Sequence, residues 1–419
     1  MQYQHLRGVL INFPHEKHAA QKVFARTPDK WQWNLYSKVD IYPHLRQNRK
    51  GMLDTATVLN ALSTIIDPDF KKDIVELGFV RDLKIEEGVV SFTIRLTTPA
   101  CPIKDQFKKQ AEEAVGGLPG VKEVRVTMDA APAVEISAGL PGVAHIVAVI
   151  AGKGGVGKST TAVNLAVALM QMGAKVGLFD ADAFGPNTPR MLGVRGVPLR
   201  TQGGKIVPIE AQGIKLVSIG SAIPEDQPVV WRGSLQHGFV RDFTQKTDWG
   251  ELDYLVVDMP PGTGDIPLSV MQLLPLSGAL VVGTPQEVAL EDVRRGVTML
   301  GKMNVNLLGF VENMSYLICP KCGEEIDVFG KGGMDSFADT FGAPVLARIP
   351  MDVNIRKGSD SGLPAAFQEG PVSDAYKELA AAVVQRVAIV EKENPPKAAG
   401  VPQTGPGGNQ PFLNVPKKN

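Results

Sequence analysis

The chain has 419 residues, with 44 Lys plus Arg against 44 Asp plus Glu. A balanced charge gives no whole-chain pull toward nucleic acid or an acidic substrate, and no apolar run reaches the length of a membrane span. Three cysteines in so long a chain exclude a disulfide scaffold and suit a reducing compartment, expected to be the cytoplasm, and the length allows two or more domains.

Residues 1–52 stand apart. They hold four of the six histidines, two of the four tryptophans and nine Lys or Arg against three acids. No apolar core of a secretory signal follows the start, and a transit peptide would be richer in serine. The apolar residues show no helix or strand period. Ordered structure is therefore expected to begin near Met52, the lead being disordered or a start-site artefact. From 53 to 130 the pattern is that of a small α+β unit. Asp54 can cap a helix with Val58, Leu59, Leu62 and Ile65 on one stripe. Strands at Phe79–Ile85 and Val89–Leu96 flank Glu87-Gly88, a hairpin signal. A helix follows Pro102, then a short strand at Val121–Val126.

Residues 131–143 are rich in Ala, Pro and Gly and form a linker. From 144 to 392 apolar strands alternate with amphipathic helices. The strands are expected at His145–Ala151, Lys175–Asp180, Lys215–Ile219, Tyr254–Met259, Ala279–Thr284, Leu307–Val311 and Val345–Ile349. This predicts an α/β fold with a doubly wound, mainly parallel sheet. Residues 393–419 contain ten Pro or Gly from Asn394 onward and no acid in that stretch, and are expected to be disordered.

Between the first large strand and a helix expected over Thr161–Met172 lies Gly152-Lys153-Gly154-Gly155-Val156-Gly157-Lys158-Ser159-Thr160. This is G-x-x-x-x-G-K-[ST] in strand–loop–helix context, a phosphate cradle of backbone amides at a helix N-terminus. Lys158 would reach the β- and γ-phosphates and Ser159 would hold Mg²⁺. Asp180 and Asp182 end one strand, where carboxylates can reach a Mg²⁺–phosphate centre. Asp258 ends another, the Walker B arrangement, and would bind Mg²⁺ through water. The amides of the following loop, around Gly262, could sense a γ-phosphate.

Lys-Gly-Gly-Val-Gly-Lys-Ser-Thr resembles the deviant Walker A of the SIMIBI class of P-loop ATPases, which includes the nitrogenase iron protein and the Min and Par ATPases. The resemblance implies that Lys153 crosses a dimer interface to the partner's nucleotide. It makes Asp182 the residue positioning the attacking water and Asn313 the reader of adenine, with the segment after Pro350 closing over the base.

Cys319-Pro320-Lys321-Cys322-Gly323 places two thiols at metal-knuckle spacing. A metal needs about four ligands, and no second pair is at hand; two chains related by a two-fold axis supply them, for Zn²⁺ or for a [4Fe–4S] cluster. The stretches 180–193, 258–265, Val311-Glu312-Asn313-Met314-Ser315, the Cys loop through Gly330, and 349–360 together resemble the Mrp/ApbC family of iron–sulfur cluster carriers, over nearly all of residues 53–390. Ala183-Phe184 departs from the Ile-Tyr of that pattern. The resemblance implies a homodimer that holds a labile [4Fe–4S] cluster on Cys319 and Cys322 of both chains. It implies ATP binding with slow hydrolysis, cluster exchange with scaffold and recipient apoproteins, and neither a nucleic-acid nor a membrane partner. Leu96-Thr97-Thr98-Pro99-Ala100-Cys101-Pro102 resembles the SufT-like domain of iron–sulfur assembly factors, with Cys101 as a possible transfer thiol. Two other readings stay open at this level: a Min- or Par-type spatial regulator, and a zinc-stapled nucleotide switch.

Overall fold

The computed structural model describes residues 20–26, 31–37, 53–68, 71–96, 103–130, 140–182, 185–222, 233–319, 321–330 and 332–396. Cys101, Ala183-Phe184, residues 131–139 of the linker and residues 397–419 of the tail lie outside these.

In the lead, β1 (Ala20–Arg26) and β2 (Trp31–Ser37) pair antiparallel. This corrects the expectation that no period exists before Met52. Trp31, Trp33 and Leu35 alternate with polar residues, which is a two-residue repeat hidden in a strongly basic segment.

The small α+β unit contains α1 (Thr55–Leu62), β3 (Val80–Glu86), β4 (Val89–Leu96), α2 (Lys104–Gly116) and β5 (Glu123–Ala130). Asp54 caps α1 by accepting the Thr57 amide at 2.8 Å. The β3–β4 turn has positive φ at Glu87 and Gly88, as a two-residue hairpin of matching twist requires. The strand order is β3-β4-β5, antiparallel then parallel. Along β4, Val90, Phe92, Ile94 and Leu96 are buried and alternate with less covered residues, so one sheet face receives α1 and α2. β5 pairs with the whole of β4, which carries it past the expected end at Val126 to Ala130.

The large domain is wound around one sheet. Its strands are β6 (Val143–Ile150), β7 (Val176–Asp180), β10 (Ile209–Ala211), β11 (Ile214–Ser218), β12 (Leu252–Asp258), β13 (Gly278–Gly283), β14 (Leu307–Ile318), β15 (Glu325–Ile326) and β16 (Val345–Met351). A separate ribbon joins β8 (Arg200–Gln202) and β9 (Lys205–Val207). The order is β10-β11-β7-β12-β6-β13-β14-β15, with β16 also on β14. Only β10 and β15 pair antiparallel in this sheet. The helices are α3 (Lys158–Gln171), α4 (Thr188–Met191), α5 (Gly233–Lys246), α6 (Asp265–Leu273), α7 (Glu287–Lys302), α8 (Asp335–Phe341), α9 (Val353–Ser361) and α10 (Pro371–Glu393).

Alternate strand residues serve opposite faces. Val147, Leu178, Val256 and Val282 enter one core with Leu165 and Leu169 of α3 and Leu379 and Val383 of α10. Ala148, Phe179, Val257 and Val281 enter the other with Val270 of α6, Leu300 of α7 and Phe337 of α8. Both faces are covered, which is why these strands read as near-continuous apolar runs. Among the described residues no helix is long and apolar enough to cross a membrane.

Candidate functional site

The parallel strands point their carboxyl ends to one edge, and the phosphate loop leaves β6 there. Gly155 and Gly157 both have positive φ, turning the backbone so that α3 starts at Lys158, three residues earlier than the apolar pattern suggests. Gly154 and Gly155 are exposed with open space around them. Ser159 and Thr160, half-buried, form the first turn, where unpaired helix amides and the dipole favour an anion. Gly152 packs so closely on α7 that an added Cβ would meet the Asp292 backbone at 2.2 Å. Val156 is buried and pins the loop into the core.

Lys158, 6% exposed, folds back over the loop. Its Nζ lies 2.5 Å from Asp258 Oδ1, 3.2 Å from Ser159 Oγ and 4.0 Å from Asp182 Oδ2. The sheet register explains the cluster: Asp258 pairs with Asp180 on one side and Val149 on the other, so β6, β7 and β12 end side by side. Asp258 is wholly buried, and its Oδ2 has no hydrogen-bond partner among the described residues. Burial pushes its carboxyl up while the Lys158 charge draws it down. A buried acceptor of this kind fits the Mg²⁺-bound water expected of it.

Asp180 has another task. It is fully buried; Oδ1 accepts the Asp182 amide at 3.0 Å, and Oδ2 accepts the hydroxyls of Thr188 at 2.8 Å and Ser218 at 3.2 Å. With both oxygens engaged in these bonds, Asp180 braces the end of β7. It fixes the turn that presents Asp182, held by Thr188, which lies within the 180–193 stretch, and by Ser218, which no sequence motif marked. Burial, with the charge of Asp258 beside it, pushes its carboxyl up to about 7.

Asp182, 7% exposed, receives the Gly185 amide at 3.2 Å. It lines an open cleft of about 500 Å³ with Pro260, Pro261, Gly264 and Asp265. Gly262 is in the same loop with φ +83, but its amide already donates to the Ala151 carbonyl at 3.2 Å. Gly262 therefore ties this loop to the phosphate loop, rather than offering the free amide expected of it. Lys153 is half-buried and makes no hydrogen bond or ion pair among the described residues.

Asn313 reaches the loop from β14, two strands from β6. Its Nδ2 donates to the Val156 carbonyl at 2.8 Å, and it fills the space beside Gly157, where a Cβ would lie 2.1 Å from that nitrogen. The side chain braces the loop through one amide N–H, with its second N–H and its amide oxygen outside that bond. Pro350 is buried near the end of β16, and Asp352 caps α9 immediately beyond it, accepting the Asn354 amide at 2.6 Å.

The thiols belong to the same strand as Asn313. β14 runs on to Ile318, seven residues past its expected end, and turns back into β15 with Leu317 opposite Ile326 and Ile318 opposite Glu325. Cys319 and Cys322 occupy the tip of this hairpin. The Cys319 amide donates to the Glu324 carbonyl and the Gly323 amide to the Cys319 carbonyl, each at 2.9 Å. Backbone N–H groups of Lys321 and Cys322, then the Cys322 thiol, hold the Cys319 thiol below its ordinary range. Cys322 is exposed, as are Ile326, Val328 and Phe329 on the same hairpin. Among the described residues no group of three or more His, Cys, Asp or Glu side chains that could hold a metal occurs.

Residues 142–385 match a family model described as a NUBPL iron-transfer P-loop NTPase, and residues 55–128 match one described as an iron–sulfur cluster assembly protein. An iron–sulfur cluster carrier protein of Synechocystis sp. is 46% identical over 345 residues, which span 80% of this chain and 97% of the relative. The chloroplastic Fe–S cluster assembly factor HCF101 of Oryza sativa is 45% identical over 347 residues, 80% of this chain and 65% of the relative. Among solved structures, a nucleotide-binding protein from Archaeoglobus fulgidus in complex with ADP is 38% identical with a TM-score of 0.50, covering 55% of this chain and 91% of that one.

Proposed function

The chain belongs to the iron-transfer P-loop NTPase family of iron–sulfur cluster carriers and assembly factors, and from that membership we propose that two copies hold one [4Fe–4S] cluster between them and pass it to apoproteins in a cycle linked to ATP hydrolysis. The observation that carries this reading is the hairpin tip, where backbone amides hold Cys319 toward the thiolate beside an exposed Cys322. Thiolates are the ligands an iron–sulfur cluster requires, and such a cluster requires four. Two hairpins related by a two-fold axis supply them, and the exposed Ile326, Val328 and Phe329 would be covered by the same contact.

The cluster is cargo. An open, exposed tip with two ligands per chain suits loading and release, whereas a closed four-ligand site in one chain would suit retention. ATP would lie on the phosphate loop, with Lys158 leaving Asp258 for the β- and γ-phosphates. Ser159 and, through water, Asp258 would hold Mg²⁺, which would offset the phosphate charge. Asp182, facing the cleft, would orient the attacking water. Lys153 would reach the partner's nucleotide and offset charge in the transition state. Asn313 and the segment after Pro350 would receive the base. In the N-terminal domain, Cys101 would be a transfer thiol. Scaffold proteins would load the dimer, and the small number of cysteines suits a reducing compartment such as the cytoplasm.

Anaerobic reconstitution with iron and sulfide tests the reading. The expected result is a [4Fe–4S] absorbance band with one cluster per two chains, and its loss in Cys319→Ser/Cys322→Ser. Purification with zinc alone, and no uptake of iron, would establish the zinc-stapled switch instead; a double variant that keeps a full cluster would refute the ligands.

A further inference from the structure

Glu312 is a fully buried carboxylate beside Asn313 that neither nucleotide binding nor thiol ligation accounts for. It accepts the Ser315 hydroxyl two residues beyond Asn313 on β14, the Met334 amide at 3.0 Å and the Gly332 amide at 3.4 Å, and Arg348 Nε lies 3.5 Å away. Arg348 is itself paired with Asp335. Glu312 precedes the stretch of β14 that runs out to the thiol hairpin, and the chain returns from it at Gly332-Gly333-Met334, so one carboxylate stitches the outgoing and returning legs together. The stitch is tight: Met334 is fully buried over Gly283 of β13, where an added Cβ would meet Met334 Cε at 1.9 Å.

The outgoing leg is kinked just past this point. Met314 has φ +55 in the middle of a strand, a conformation that costs a side-chain-bearing residue about 1 kcal/mol or more. The pairing with β16 slips there: Asn313 faces Ile349, while Leu317 faces Met351. Four positions on β14 thus match two on β16, and the bulge lies between the residue that braces the phosphate loop and the residue that begins the hairpin.

We propose that Glu312 is a positioning residue that ties the base of the thiol hairpin to the phosphate loop through Asn313, with the Met314 kink as the hinge, so that nucleotide occupancy sets how Cys319 and Cys322 are presented. Movement of the Val156 carbonyl on nucleotide binding displaces Asn313. Glu312 makes the two hairpin legs follow together, and the kink turns that displacement into rotation of the tip. This inference rests on Cys319 and Cys322 being the working thiols, and its test needs no cluster.

The test is the alkylation rate of Cys319 and Cys322 by iodoacetamide, resolved by mass spectrometry on the full, metal-free, reduced chain, with and without saturating Mg²⁺ and a non-hydrolysable ATP analogue. The wild-type rates should differ about five-fold or more between the two conditions, the low end of typical coupling between sites. Glu312→Gln keeps the side-chain shape but removes the charge facing Arg348; Met314→Gly relaxes the kink. Each should bring the ratio close to one while nucleotide affinity stays near wild type; Glu312→Gln sets an NH₂ donor against donors the carboxylate accepts from, so its unfolding midpoint falls whatever its role. A merely structural glutamate would lower stability and leave the ratio intact. A wild-type ratio of one, or unchanged ratios in both variants, overturns the proposal. Failure of cluster binding would appear separately, as absent iron in the reconstitution experiment.

Discussion

Lys158 Nζ lies 2.5 Å from Asp258 Oδ1, a buried ion pair that closes the floor of the phosphate loop. The lysine has two partners to choose between, a carboxylate in the protein and the phosphates of a nucleotide. Truncation to Lys158→Ala removes its charged hydrogen bonds to phosphate and should weaken ATP binding roughly ten- to a hundredfold, as loss of about 1.5–3 kcal/mol implies. Calorimetric titration with ATP checks this; an affinity within twofold of wild type would place the lysine outside the nucleotide site.

Lys153 has no partner among the described residues of its own chain. If it acts on a second chain's nucleotide, Lys153→Ala should leave ATP binding close to unchanged and lower the hydrolysis rate by about 10³-fold, the scale of a charge supplied in trans. Mixing the variant with a Lys158→Ala chain should recover part of the activity, because one composite site then keeps both lysines. Full turnover by Lys153→Ala alone sinks the role.

Gly157 has φ +87 and stands against Asn313. Gly157→Ala should push the Asn313 amide off the Val156 carbonyl and cost about 1–3 kcal/mol of stability, together with nucleotide binding. The double variant Gly157→Ala/Asn313→Ala removes the clash but keeps the strained backbone, so it should be less destabilised than the sum of the two single changes. Urea midpoints of the four proteins measure the coupling; strict additivity would mean that the contact is not felt.

Asp180 carries a pH signature. Its carboxyl is pushed from 3.8 up to about 7 by burial and by Asp258. The folded protein favours the protonated form, so the contribution to stability is whole below the unfolded value and is lost as pH rises through about 7. Asp180→Asn stays neutral throughout. Between about pH 5 and pH 8 the wild type should lose more stability than the variant, as measured by urea unfolding at both values. Parallel losses in the two proteins would show that Asp180 is not the titrating group.

The residues whose placement follows from local chemistry were legible in the sequence. Lys158, Ser159 and Asp258 belong to segments that make a strand, a turn or a helix start from neighbouring residues, and a phosphate loop is local in exactly that sense. The apolar runs flanking it gave the parallel sheet, and Asp54 gave the first helix. The spacing of Cys319 and Cys322 gave two neighbouring thiols at metal-knuckle spacing. Alternation in Trp31, Trp33 and Leu35 was present as well, masked by the basic composition around it.

Tertiary structure decided the rest, because it depends on which strands lie side by side. Register places Asp180 next to Asp258 and encloses it, and its carboxylate anchors the Asp182 amide. Asn313 braces Val156 across β13, and Gly262 has its amide taken by Ala151. Glu312 lies one residue from Asn313 in a motif quoted for its asparagine, yet nothing local shows that its carboxylate meets Met334 and Arg348. Pairing with β16 and β15 carries β14 through the Met314 kink to the thiols, well past the point where its apolar pattern fades. Sequence periodicity reports which side of an element is buried; long-range hydrogen bonds determine what that buried side touches, and here one of them, from Asn313, joins the strand that carries the thiol hairpin to the phosphate loop after β6.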